Sequence, residues 1–117
     1  MNVSTKPSSG GDLSRSLPTP AAIIDLSRLK RNTALMAKRA HAHGVHLRPH
    51  VKTHKCVEAA RYQVADHFGG IAVSTLAEVE HFGRAGFTDI TYAVPLSPGR
   101  VAKACALSQS VEVLHLL

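Results

Sequence analysis

The segment 47–55, of sequence LRPHVKTHK, contains the residues of this chain that are best suited to covalent chemistry. It places two lysines, two histidines and one arginine close together. A lysine amine that has lost its proton is a nucleophile, and it condenses with carbonyl groups to form Schiff bases. The pattern predicts the end of a β-strand that runs into a helix, which would expose Lys52 at the mouth of an α/β fold. We therefore predict that Lys52 is a Schiff-base lysine.

Residues 45–52 alternate strictly between apolar and cationic side chains, as a half-buried β-strand does. The apolar positions are Val45, Leu47, Pro49 and Val51, and the cationic positions are His46, Arg48, His50 and Lys52. In a parallel sheet covered by helices, the apolar face should meet the helices and the cationic face should look into a barrel interior or a cleft. Pro49 has no N–H to give to a central strand, so we expect the strand to be irregular there.

Two lysines of the segment compete for the chemical role. A free lysine has a pKa near ~10.4, and both desolvation and neighbouring cations lower it toward the neutral amine that a Schiff base requires. Arg48 and His50 lie on the same predicted strand face as Lys52, so they supply such a cationic neighbourhood and could hydrogen-bond a cofactor or a substrate. Lys55 is expected inside the following helix, where its side chain reaches solvent. Lys52 is therefore the preferred candidate.

The rest of the chain alternates helical patterns with short apolar runs, which indicates βα units. The expected helices begin at the caps Ser27, Thr53, Thr75 and Ser97. They are expected to end near Gly44, Gly69, Gly86 and Ser108. The apolar runs that alternate with them are 21–26, 45–52, 71–73, 89–94 and 111–117. Thr75 and Glu78 have the spacing of a capping box.

Strand starts that recur every twenty residues or so fit either a (β/α) barrel or an open doubly wound sheet. An eight-unit barrel needs about 250 residues, so a chain of 117 residues supplies at most half of one. We expect residues 1–18 to form a flexible tail and residues 19–117 to form the N-terminal portion of a larger, incomplete TIM-like barrel. Alone, such a sheet would keep two open edges and tend to associate.

Composition narrows the functional classes. The net charge of +6 is scattered along the chain, without the interleaved aromatic residues of a nucleic-acid surface. Cys56 and Cys105 are isolated, which favours a reduced, cytoplasmic setting without structural disulfides. No apolar stretch has the length of a membrane span, and the N-terminus lacks the apolar core of a signal peptide.

A histidine-rich stretch offers a different interpretation, a metal-binding module. Its members are His41, His43, His46, His50 and His54. The spacing argues against a metal site, because these residues straddle different predicted elements and no cysteine or carboxylate completes a ligand set. We predict no metal ligand in this chain.

Several neighbours of the lysines have simpler structural explanations. Thr53 and His54 are expected to act as cap or packing residues, and Cys56 to pack as a small apolar group. Ser74 and Thr75 could touch a ligand at a strand end, but a helix cap accounts for Thr75 fully.

Four motifs together resemble a known family. They are Thr19-Pro20, the pattern Leu29-x-x-Asn32-x-x-x-Met36, the segment 47–55 and the segment 73–78, of sequence VSTLAE. These resemble the N-terminal part of the D-serine dehydratase and D-threonine aldolase-like enzymes, which are alanine racemase-type, fold-type III pyridoxal-phosphate enzymes. The resemblance covers about residues 18–117. It implies that Lys52 forms the internal aldimine with pyridoxal 5'-phosphate and that His50 and Arg48 contact the cofactor.

The resemblance also implies a reaction. The leading expectation is a lyase that dehydrates D-serine, because residues 73–95 look closer to the dehydratase branch. The alternatives are a D-threonine aldolase-like lyase and a non-catalytic pyridoxal-phosphate-binding protein. Related enzymes use a divalent metal, zinc or manganese, whose ligands would lie beyond residue 117, as would the loops that hold the cofactor phosphate. A full-length homodimer that takes a small D-amino acid is expected, with no nucleic-acid or membrane partner, and the 117-residue chain alone should bind cofactor poorly.

Overall fold

A computed structural model describes residues 17–117, so most of the predicted tail, residues 1–16, lies outside the described residues. This part of the chain contains four α-helices and three short strands, which alternate after the first helix. The helices are α1 (Leu26–Ala42), α2 (Val57–Val64), α3 (Leu76–Arg84) and α4 (Val101–Ser108). The strands are β1 (Ile71–Val73), β2 (Asp89–Tyr92) and β3 (Val113–Leu116). Single 3-10 turns at Val51–Thr53 and Pro98–Arg100 complete the structure.

The strands form one parallel sheet in chain order, β1-β2-β3. Connections between parallel strands are almost always right-handed, so neighbours in chain order place their connecting helices on one face of the sheet. A doubly wound sheet instead needs a reversal of strand order, which puts helices on both faces. The arrangement therefore confirms the prediction of an incomplete, barrel-type α/β fold.

The core lies between this sheet and its helices. The fully buried strand side chains, which point toward the helices, are Ile71, Val73, Ile90 and Tyr92. Helix α3 packs Leu76, Val79 and Phe82 against them, and α4 contributes Ala104. Because strand side chains alternate, Ala72, Asp89 and Thr91 point to the opposite face. This second face, which would line a barrel interior, is where the polar residues of the sheet lie.

The prediction of a β-strand over residues 45–52 is wrong, but the irregularity expected at Pro49 is confirmed. The segment is joined to the sheet by an isolated parallel bridge between His50 and Ala72. Its hydrogen bond runs from the Ala72 N–H to the Pro49 carbonyl over 2.9 Å. Pro49 has no N–H with which to extend the ladder, which is the physical reason for the irregularity. The alternation itself is retained, because Leu47 and Pro49 line a cavity beside α1 and Val51 is 0% exposed.

Two of the predicted helix caps are also wrong. Asp25, not Ser27, caps α1 and accepts a hydrogen bond from the Arg28 N–H. Thr53 lies in the 3-10 turn, and α2 begins only after Cys56. In both cases another residue close in sequence occupies the N-cap position, because sequence patterns do not fix the end of a helix to a single residue.

The capping box at the start of α3 is confirmed. Thr75 accepts from the Glu78 N–H at 3.1 Å, and the Glu78 side chain accepts from the Thr75 N–H in return. Gly86 follows the helix with a φ of +90°, a left-handed conformation that suits glycine at a helix end. No helix in the described range is both long and apolar enough to cross a membrane.

Candidate functional site

Lys52 lies at the carboxyl edge of the sheet, in the 3-10 turn that directly follows the His50–Ala72 bridge. Its neighbour Val51 is anchored in the core, whereas the Lys52 side chain is exposed. In α/β folds with parallel strands, this edge is where ligands bind. The structure thus leaves the Lys52 amine accessible to a ligand.

His50 links the Lys52 turn to the end of β1. Its Nδ1 accepts a hydrogen bond from the Lys52 backbone N–H at 3.3 Å, and its Nε2 lies 3.2 Å from the Ser74 hydroxyl. A neutral imidazole whose Nδ1 is an acceptor carries its proton on Nε2, so His50 donates to Ser74. Burial and then the positive charge of Lys52 lower the pKa of His50, while Glu78 opposes the shift. We conclude that His50 is neutral near pH 7.

Glu78 also belongs to the site. The sequence predicted it only as part of a capping box. Its Oε2 accepts from the Ser74 N–H at 2.8 Å and the Thr75 N–H at 3.3 Å. Its Oε1 lies 3.2 Å from the Lys55 ammonium, although the Glu78 side chain is only 7% exposed. Burial alone would raise the pKa of Glu78, but these backbone hydrogen bonds and the Lys55 charge hold it below the usual value.

Lys55 does not lie inside a helix as predicted. It sits between the 3-10 turn and α2 with a φ of +49°, and its side chain is paired with Glu78. The expected helical position of Lys55 was therefore wrong, whereas its expected exposure agrees with a side chain that is 60% exposed. A further reason favours Lys52, because the Lys55 amine lies 3.2 Å from a buried carboxylate.

Arg48 does not lie beside Lys52, His50 and Ser74. Its guanidinium binds both carboxylate oxygens of Asp89, at 2.6 and 3.0 Å, and stacks over Phe68 with 4.9 Å to the ring centroid. Asp89 begins β2, so Arg48 contacts the amino edge of the sheet, the edge opposite Lys52. Both are on the same sheet face, as predicted, but at different ends of it. A cofactor contact by Arg48 stays a prediction.

The neighbouring residues make local contacts of their own. His54 accepts from the Cys56 N–H through Nδ1 and lies 3.0 Å from Gln63 through Nε2. The Cys56 thiol lies 3.2 Å from the Glu58 carboxylate and is half-buried. Thr53 is exposed in its turn. The contacts of His54 agree with the expected structural role, whereas Thr53 caps no helix and the Cys56 thiol contacts a carboxylate instead of packing as an apolar group.

The histidines of residues 41–54 have separate partners. His41 packs edge-to-face on His67, and His46 stacks on Phe68. Within residues 17–117, no three histidine, cysteine or acidic side chains are grouped so that they could hold a metal ion.

The residues at the carboxyl edge fit an aldehyde cofactor. Lys52 offers an accessible amine for covalent attachment, and His50 and Ser74 offer a neutral imidazole and a hydroxyl beside it. Such a set suits a ligand that presents both a carbonyl carbon and hydrogen-bonding ring substituents.

Comparison with known proteins supports this chemistry. Residues 24–116 match the family model described as alanine racemase, N-terminal domain. The chain is 55% identical over 91 residues to D-threo-3-hydroxyaspartate dehydratase of Delftia sp. strain HT23, covering 78% of this chain and 24% of that protein. The solved structure of that dehydratase superposes with a TM-score of 0.80 at 51% identity, over 86% of this chain and 27% of that one.

Two further relatives have other activities. The D-serine dehydratase of Dictyostelium discoideum is 38% identical, covering 86% of this chain and 27% of the relative. The D-threonine aldolase of Arthrobacter sp. is 38% identical, covering 95% of this chain and 31% of the relative. The chain thus spans about a quarter to a third of the length of these relatives. It belongs to the alanine racemase N-terminal domain family, among the fold-type III pyridoxal-phosphate enzymes.

Proposed function

We propose that this chain is the lysine-bearing part of a pyridoxal-phosphate-dependent lyase that acts on D-amino acids, with Lys52 as the attachment point. One observation carries the proposal: Lys52 is exposed at the carboxyl edge of the sheet beside a neutral His50, whereas Lys55 is paired with a buried carboxylate. The family relationship supplies the cofactor class, and the exposure of Lys52 together with the pairing of Lys55 supports the choice of Lys52.

The proposed reaction is dehydration of a D-amino acid that carries a β-hydroxyl group, with D-serine as the leading substrate. Two dehydratases among the relatives favour dehydration, and the first of them favours a 3-hydroxyaspartate as the competing substrate. Aldol cleavage is the second candidate, because a D-threonine aldolase is also similar over most of the chain. When bound, the cofactor would withdraw electrons from the substrate Cα.

The residues of this chain have distinct tasks in that proposal. Lys52 must release its ammonium proton before its amine can attack a carbonyl carbon. His50 donates a hydrogen bond from its Nε2–H to the Ser74 hydroxyl, and its Nδ1 accepts a hydrogen bond from the Lys52 backbone N–H. His50 is thus a positioning residue that fixes the Lys52 turn against β1. The cytoplasmic setting, the homodimer and the divalent metal of a full-length protein remain predictions.

The attachment point is tested by incubating the protein that carries this chain with pyridoxal 5'-phosphate, reducing with borohydride and mapping the labelled peptides. Reduction converts a lysine–aldehyde linkage into a stable secondary amine. We expect label at Lys52 well above that at the exposed lysines Lys30 and Lys103, and its loss in Lys52→Arg. The matched variant Lys55→Arg should keep the label, because arginine preserves the ion pair with Glu78. Preferential label at Lys55, or equal label at all lysines, would overturn the assignment.

The reaction class needs a separate assay on the protein that carries this chain. Dehydration of D-serine releases pyruvate and ammonia, and dehydration of D-threo-3-hydroxyaspartate releases oxaloacetate and ammonia. Retro-aldol cleavage of D-threonine instead releases glycine and acetaldehyde. We expect ammonia from a D-β-hydroxy amino acid and none from the L-enantiomer, and release of glycine without ammonia would replace dehydration by aldol cleavage.

A further inference from the structure

The Glu78 carboxylate joins two segments that lie far apart in the sequence. One oxygen binds the backbone N–H groups of Ser74 and Thr75, and the other pairs with Lys55. A helix cap uses only the first of these oxygens. The ion pair with Lys55 contributes nothing to the cap, so the second oxygen calls for another explanation.

Lys55 is a chemical competitor of Lys52, because it carries the same amine three residues further along the chain. An ammonium in an ion pair has no lone pair with which to attack a carbonyl carbon. The Glu78 carboxylate is buried, which strengthens its attraction for the Lys55 charge, whereas the Lys55 side chain is 60% exposed and solvent screens the pair from that side. Within residues 17–117, Lys52 has no carboxylate at ion-pair distance. The pairing therefore distinguishes the two amines.

On the basis of the proposed function, we propose that Glu78 is a positioning residue that directs the carbonyl cofactor to Lys52 by holding the Lys55 ammonium in an ion pair. It acts through other residues and need not touch the cofactor. A second connection reinforces the first, because Ser74, whose N–H is bound by Glu78, contacts His50, and His50 holds the Lys52 N–H. One carboxylate thus fixes the Lys52 turn from both sides.

The backbone at Lys55 agrees with a specifically held side chain. Among the described residues it is the one non-glycine residue with a positive φ, +49°. This left-handed conformation is unfavourable for a non-glycine residue, so it persists only where surrounding contacts enforce it. The 2.9 Å hydrogen bond from the Lys55 N–H to Val51 and the ion pair with Glu78 are such contacts.

The decisive variant is Glu78→Gln, which keeps the size of the side chain and an oxygen for the Ser74 N–H but removes the negative charge. After borohydride reduction in the presence of pyridoxal 5'-phosphate, the ratio of label at Lys55 to label at Lys52 should rise by roughly three- to tenfold, since a charged hydrogen-bonded partner has been lost. Thr75→Ala is the control, because it weakens the same helix cap and leaves the ion pair in place. Its label ratio should equal that of the wild type.

A second measurement does not depend on the folding of Glu78→Gln or on cofactor. In Lys55→Met the ion pair is absent, and we expect the Lys52 amide hydrogen to exchange roughly tenfold faster than in Lys55→Arg, which keeps the pair. An unchanged label ratio in folded Glu78→Gln, or equal exchange in the two Lys55 variants, overturns the role of Glu78 while leaving Lys52 as the attachment point. Wild-type label at Lys52 no higher than at Lys30 overturns the proposed function itself, and the role of Glu78 with it.

Discussion

Cationic side chains at the two edges of one sheet face lie in opposite environments. At the amino edge, the Arg48 guanidinium is held by both oxygens of Asp89, with Phe68 stacked against it. At the carboxyl edge, Lys52 is exposed and His50 is kept neutral. The first arrangement satisfies a charge and stabilises the fold, whereas in the second, as far as residues 17–117 show, no carboxylate lies at ion-pair distance from the Lys52 amine. The same alternation of cationic residues therefore provides structural support at one end and an exposed amine at the other.

Arg48→Met should produce the largest change in stability and so test the structural half of this comparison. The arginine and aspartate side chains are 24% and 25% exposed, and loss of the cation leaves Asp89 partly buried without its main partner. We expect the free energy of unfolding to fall by about 1–3 kcal/mol in urea denaturation. Label at Lys52 should not change, because the two groups lie at opposite edges.

The matched control is Arg84→Met, which removes an exposed arginine paired with Glu80 within one helix. Exposed pairs of this spacing contribute about 0.3–0.5 kcal/mol. Equal effects of the two variants would contradict a stabilising role for Arg48, and a loss of Lys52 labelling in Arg48→Met would show that the two edges are coupled.

Gly70→Ala, at the same amino edge of the sheet, should lower the free energy of unfolding less than Arg48→Met does. A methyl group at Gly70 would meet the Arg48 Nη1 and the Phe68 ring, so the guanidinium would have to move away from Asp89. We expect a loss of about 1 kcal/mol by urea denaturation, at the low end for overpacking because both contacted groups are side-chain ends.

A double-mutant cycle sharpens this result. In an Arg48→Met background the added methyl group should cost less than in the wild type, because the contacted guanidinium is gone. Gly99→Ala is the control, since nothing lies within 4 Å of an added methyl there. Strictly additive effects of the Gly70 and Arg48 changes would show that the two residues do not interact.

The smallest expected effect concerns the pH dependence of stability at the carboxyl edge. The pKa of His50 is lowered in the folded chain from 6.5, so on acidification the unfolded state binds this proton first. Stability should therefore decrease as the pH falls below about 6.5, and part of that decrease should vanish in His50→Asn. Urea denaturation between pH 7 and pH 5 measures it.

His43→Asn, which changes an exposed histidine, serves as the reference for His50→Asn. Glu78 contributes in a lower range, since its lowered pKa stabilises the fold above the ordinary value of 4.5 and that contribution is lost at more acidic pH. An identical slope for wild type and His50→Asn would contradict a neutral, hydrogen-bonded His50.

Elements whose signals are local were well predicted from the sequence. The capping box of Thr75 and Glu78, the buried run Ile71–Val73 and the helix end at Gly86 each follow from residues a few positions apart. The alternation of helices with short apolar strands followed from the spacing of βα units, although that spacing left the strand order open. These features depend on propensity and periodicity, which a single sequence contains.

Features that depend on distant contacts were not predicted. The Arg48–Asp89 pair joins residues 41 positions apart, and the Lys55–Glu78 pair joins two segments that no local pattern relates. The left-handed backbone of Lys55 has no compositional signal, because positive φ is rare for lysine. The cationic face was predicted correctly as a face, but only tertiary structure could show that its members separate to opposite edges.

The single bridge between His50 and Ala72 has a consequence for the order of assembly. It closes a chain segment of 22 residues with one rung, whereas β1, β2 and β3 are paired along their whole lengths. Loop closure that gains few contacts is entropically unfavourable until the rest of the fold is in place. The three strands and their helices should therefore form first, and the segment with Lys52 should dock last. The scaffold of this chain can thus form before Lys52 is in position, and a change at the exposed Lys52 itself should cost little in folding, unlike a change at Arg48 or Val51.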